Sequence, residues 1–183
     1  MNGRAATLGW AVCAGWLAFA LSGLILPPVG GAAFGFVVGV LAAGPLRNTL
    51  PSSVAIAVLA PFGLMLPALA LRHVAISLGL DVPGFSLLET TVFLLLYVAF
   101  LLTVFGVIPI DVYRFGYAPL PVAVIVLTVC LYALMTGNWF LALVAVGGQA
   151  AWVAGWSSSN WFDTMLHVAL IPVALFAMMA FLF

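Results

Sequence analysis

The sequence predicts an all-α protein, a polytopic integral membrane helix bundle of about seven transmembrane helices, with six as the other count. Two observations carry the prediction. Hydrophobic residues make up 67% of the chain and charged residues 4%, and the mean hydropathy is +1.39, which leaves too little polar surface for a water-solvated globule. The apolar residues also fall into runs of about 20, the length a helix needs to cross a hydrocarbon slab of about 30 Å. With almost no chain left for loops, residues 1–183 read as a single transmembrane domain without an extramembrane domain.

Leu8 to Leu26 is the first run, preceded by Arg4 and closed by Pro27-Pro28. It exceeds the usual signal-peptide core and no small-x-small cleavage site follows, so it reads as a retained helix. Gly30 to Leu46 is the second, with Gly31, Gly35 and Gly39 at four-residue spacing and Ala43 continuing the row. Small residues one turn apart let another backbone approach, either a neighbouring helix of this chain or a partner in a homo-oligomer or membrane complex. Ser53 to Leu71 is the third, containing Pro61 and Pro67, and a kink is expected there. Broken helices line substrate paths in many transporters, although proline is common in membrane helices generally. Arg72, His73 and Asp81 follow, up to Pro83-Gly84, as a loop or helix end.

Ser86 to Ile108 is the fourth run. Ser86-x-x-Glu89 has capping-box spacing, so Glu89 has a structural reading beside that of an ion-coupling carboxylate. Pro109 to Gly116 reads as a loop, with Tyr113 and Tyr117 in an interfacial belt. The fifth run spans Pro119 to Met135 and the sixth Trp139 to Trp156, where Gly147, Ala151 and Gly155 repeat the small-residue spacing. Gln149 lies near the middle of the sixth, as interhelical glue or as a path-lining amide. The seventh runs from Trp161 to Phe183 and contains Pro172.

The stretch Trp156 to His167, WSSSNWFDTMLH, gathers most of the chain's polar chemistry. Asp163 and His167 stand four apart, on one face if the helix is continuous, and a carboxylate beside an imidazole can hold a proton. The structural alternative has Asn160 capping the last helix and Asp163 complementing its dipole. Ser157 to Ser159 read as a short loop with no partner set for a nucleophile. The Asp163-x-x-x-His167 spacing is similar to a late helix of seven-helix zinc hydrolases of the alkaline ceramidase type. Their sites need further histidines that this chain does not have, so no family is assigned.

No catalytic set, metal-ligand set or cofactor motif is legible. His73 and His167 are the two histidines, and the span assignment separates them by about 20 Å along the membrane normal, too far to share a metal or haem. Cys13 and Cys130 sit in separate apolar runs as small hydrophobes. A net charge of zero and the absence of a basic run argue against nucleic acid.

Seven spans with the N-terminus cytoplasmic and the C-terminus outside put Arg4, Arg47 and Arg114 inside, as the positive-inside rule favours. The absence of lysine fits a GC-rich prokaryote and hence an inner membrane. The functional expectation is a small transporter or channel-like protein in which Asp163, His167, Glu89 and Gln149 meet in a polar path. The alternatives are a non-catalytic assembly subunit and a metal- or haem-dependent membrane enzyme.

Overall fold

The computed structural model describes residues 3–59 and 63–181, and these contain helices and connecting turns but no strands. Three helices are long and apolar enough to cross a membrane: α1 (Gly3–Ser22), α5 (Leu87–Val104) and α6 (Pro119–Thr136). The apolar helices α2 (Pro28–Ala43), α4 (Met65–Ser77), α7 (Trp139–Val153) and α9 (Leu170–Ala180) are shorter. Two short helices complete the set, α3 (Leu50–Leu59) and α8 (Trp161–Met165), with a 3-10 turn at Tyr113–Tyr117.

The third and seventh apolar runs are each divided in two: the kink expected in the third is a break, and the seventh, expected as one span, is broken as well. Residues 50–77 form α3 and α4 with an interruption before Met65, and residues 161–180 form α8 and α9 with Leu166–Ala169 non-helical between them. The physical cause is the same in both. Pro67 and Pro172 occupy the third position of α4 and α9. There the missing N–H has no intrahelical partner to lose, but the ring clashes with the carbonyl four residues earlier. That excludes residues 63 and 168 from a continuing helix, and α4 and α9 begin two residues later. Pro61, the other proline of the third run, lies outside the described residues.

Arg72 and His73, expected in a loop or at a helix end, lie in the C-terminal half of α4, which runs on to Ser77. Arg72 accommodates its charge by donating from Nε to the Pro83 carbonyl at 2.7 Å and from Nη2 to the Val82 carbonyl at 3.3 Å. It thereby folds the 82–84 segment back onto α4, with its guanidinium over the Phe140 ring. The turn after α4 uses Gly79 at φ +87, a conformation that disfavours other residues.

The Gly31, Gly35 and Gly39 face of α2 is turned inward on α1. A Cβ on Gly35 would stand 2.5 Å from the Gly15 carbonyl oxygen, one on Gly15 would stand 2.7 Å from that of Gly35, and one on Gly39 would stand 3.0 Å from that of Ala11. The two backbones are in contact along this seam, and Phe19 packs over Gly31 and Gly35. What α2 leaves exposed is the opposite, bulky face, with Phe36, Val37 and Val40. α4 also packs on α1, α7 on α6, and α9 on α5. The best-buried cluster joins Val122 and Val126 of α6, Phe140 and Val144 of α7, and Trp161, Phe162 and Met165 of α8, with Leu64 and Met65 against it.

Gly35→Ala is expected to destabilise the fold by about 1–3 kcal/mol, because the nearest obstacle is the backbone carbonyl of Gly15. Gly30→Ala, whose Cβ would meet side-chain carbons no nearer than 3.7 Å, is expected to be neutral or stabilising. Thermal unfolding of the two variants in one detergent checks the contrast.

Candidate functional site

The two interruptions lie against one another. The Leu64 amide donates to the Thr164 carbonyl at 2.7 Å, and a Cβ on Gly63 would meet the Leu166 carbonyl carbon at 2.5 Å and the Met165 oxygen at 2.7 Å. Glycine at 63 is what allows the approach. α7 forms the floor of this crossing with a glycine pair: Gly147 faces Leu64, where a Cβ would sit 3.5 Å from Cδ2, and Gly148 is filled by the Met165 side chain, which leaves no room for a Cβ.

Of the four residues expected to form a polar path, His167 lies at this crossing, and Gln149 is on α7 next to the glycine pair. Gln149 follows the glycine pair, and its Oε1 is buried without a hydrogen-bond partner among the described residues. The Trp161 indole N–H, one turn before Met165 on α8, is likewise buried and unpartnered. His167 lies in the second interruption, 9% exposed, and its Nδ1 accepts from the Ala169 amide at 3.1 Å. That contact closes a turn just ahead of α9 and requires Nδ1 to be unprotonated, so the neutral ring carries its proton on Nε2.

Asp163 and His167 do not share a helix face. α8 ends at Met165 and Leu166 is extended, at φ −108 and ψ 147, so the four-residue spacing no longer measures one turn. Among the described residues no hydrogen bond joins the pair. Instead Asp163 Oδ2 accepts from the Tyr113 hydroxyl at 2.7 Å and from Ser158 Oγ at 2.9 Å. Asn160, fully buried, works beside it: Oδ1 accepts from the Phe162 amide at 2.8 Å, capping α8, and Nδ2 donates to the Tyr113 carbonyl at 2.9 Å. Gly116 packs directly on the Asn160 amide group, where a side chain would not fit. Together these contacts latch the 3-10 turn to the start of α8.

Glu89 is elsewhere. The capping box forms, with Glu89 N–H donating to Ser86 Oγ and Glu89 Oε2 accepting from the Ser86 amide at 2.6 Å. Its other oxygen accepts from the Tyr132 hydroxyl at 2.7 Å. Tyr132 is in the last turns of α6, whereas Tyr113 just precedes that helix, so the Glu89 and Asp163 clusters stand at opposite ends of it. From Pro119 to Tyr132 the rise is about 20 Å.

The histidines stay apart as well. His73 is nine residues along α4 from Leu64, about 14 Å of rise, somewhat less than the span count implied. Among the described residues no three His, Cys, Asp or Glu side chains come together in a metal-ligating group. Tyr113, Ser158 and the Gly63–Leu64 pair are the contributors that local reading missed. Tyr113 and Asp163 are 50 positions apart, and no spacing rule connects them.

The fold and site define an all-helical protein with helices able to cross a membrane and two interrupted helices in contact. No family model, curated protein or solved structure matches the chain.

Burial, then the bond to Asp163 and the contact with Tyr117, push the Tyr113 phenol above its ordinary range. A raised acid contributes stability that is present below about pH 10 and lost as pH rises through the folded value. Tyr113→Phe should therefore lose about 1.5–3 kcal/mol at neutral pH, as for a bond to a charged group, and abolish part of the alkaline loss. Asn160→Ala should cost about 1–3 kcal/mol through the cap and the orphaned Tyr113 carbonyl. Unfolding midpoints across pH check both.

Proposed function

We propose that the protein is a small multi-pass membrane transporter or channel-like protein whose path passes the crossing of the two interrupted helices. One observation carries this reading: the break before α4 meets the break before α9, with Gly63 against Leu166 and the Leu64 amide bonded to the Thr164 carbonyl at the end of α8. Non-helical backbone at membrane depth persists where it is enclosed by protein or lines a cavity, and transporters commonly build substrate sites from such segments. His167 and Gln149 supply the polar side chains there, and His167 is the group able to take and release a proton. Asp163 serves by holding α8 in place through Tyr113 and Ser158.

The short helices extend the reading to seven crossings, the third and seventh each made of two pieces. The N-terminus is then cytoplasmic and the C-terminus outside, in a prokaryotic inner membrane. Reporter fusions after Arg47, after Arg114 and at the C-terminus test this: the first two should report the cytoplasm and the last the exterior.

A second reading, a non-catalytic subunit of a membrane complex, is favoured by a different observation. Glu89, through both oxygens, and Asp163, through Oδ2, are engaged in structural hydrogen bonds, and α5 and α6 expose most of their apolar length. Its partner would meet the outer faces of the helices, since α1 already covers the glycine row of α2.

Vesicles containing the purified protein and a trapped pH dye separate the two readings. Transport predicts proton movement above that of protein-free vesicles, reduced towards that baseline in His167→Ala and retained in Glu89→Gln. Vesicles no more permeable than lipid, with a co-purifying membrane protein, would select the subunit reading instead.

A further inference from the structure

The α1–α4 contact contains a hydrogen bond that only one protonation state of histidine can make. The Trp16 indole N–H donates to His73 Nδ1 at 2.9 Å across this contact. The imidazole is held edge-on between two rings, with centroids 6.1 Å from Trp16 and 5.8 Å from Phe19. Indole nitrogen is a donor only, so Nδ1 must be bare and the ring proton must sit on Nε2. An imidazolium carries a proton on both nitrogens. It would turn N–H towards N–H, and the ring would have to leave its slot or push α1 away.

The surroundings offer the imidazolium little compensation. Neither α1 from Ala5 to Ser22 nor α2 brings an Asp or Glu to this contact, and the ionisable group of α1 there is Cys13. On α4 the neighbour is Arg72, another cation, already committed to the Val82 and Pro83 carbonyls. Asp81 lies beyond the end of α4, in the segment that Arg72 folds back. His73 is nonetheless exposed on the surface of the bundle rather than sealed in the core.

We propose that His73 and Trp16 form a pH-responsive latch between α1 and α4, closed when the imidazole is neutral and opened by its protonation. The latch joins the α1–α2 pair to the helix that starts at the crossing, and it stands independently of what the crossing does.

The test uses the full chain in detergent micelles, with the indole nitrogens observed by NMR and Trp16 assigned by its loss in Trp16→Phe. At about pH 8 the Trp16 N–H should resonate at a hydrogen-bonded position and move to a free one at about pH 5. In His73→Gln, whose amide oxygen accepts at any pH, the signal should stay near its bonded position throughout. The wild-type unfolding midpoint should also fall on acidification by about 2–4 °C more than that of His73→Gln. A Trp16 signal that does not move between the two pH values would overturn the latch, as would an equal movement in His73→Gln.

Discussion

Hydrocarbon cannot hydrogen-bond a peptide group, so any helix interrupted within it must have its freed amides and carbonyls satisfied by protein. This chain interrupts two helices and lets the interruptions serve one another. The Leu64 amide takes the Thr164 carbonyl, Leu66 returns to Gly63, Leu166 closes on Phe162, and the carbonyl and ring of His167 take Leu170 and Ala169. Much of the neighbouring composition follows from that requirement. Two backbones must come close enough to exchange a bond, hence glycine at 63. A third helix must seal the other side, hence Gly147 and Gly148 opposite Leu64 and Met165.

Hydropathy located the apolar runs well because it sums many residues, and for the same reason it could not see the interruptions. Residues on both sides of each break are as apolar as the helices they separate, so a 20-residue average passes over them. The informative signals were single residues: Pro67 and Pro172, each expelling the carbonyl four positions upstream from the helix. Both prolines were visible, and a kink was anticipated in the third run. What converted a kink into a gap was the tertiary partner available to each break, which no local pattern encodes.

Capping chemistry was legible for a complementary reason. Ser86 with Glu89 and Asn160 with Phe162 act over two or three residues, within reach of a spacing rule. The glycine row of α2 was legible as a close-packing face, but its partner was not, because Gly15 and Ala11 of α1 do not repeat the pattern conspicuously. The Asp163 and His167 pair failed at the next level. Its four-residue spacing had meaning only on an unbroken helix, and the extended backbone at Leu166 removed it.

The resulting distribution of polar groups constrains how such a protein could move. Strong hydrogen bonds are gathered at the ends of α6: Glu89 with Tyr132 at one, and the Asp163, Asn160 and Tyr113 cluster at the other. Beside the Asp163 cluster, the crossing is held by a neutral amide–carbonyl bond, the His167 to Ala169 contact and apolar contacts against two glycines. Bonds to a carboxylate contribute roughly twice as much as neutral ones, so these latches resist displacement more than the crossing does. A rearrangement of this bundle would accordingly separate or slide the two interruptions while leaving the end latches closed. Gln149 and His167, rather than Glu89 and Asp163, are the polar side chains whose surroundings would change with it.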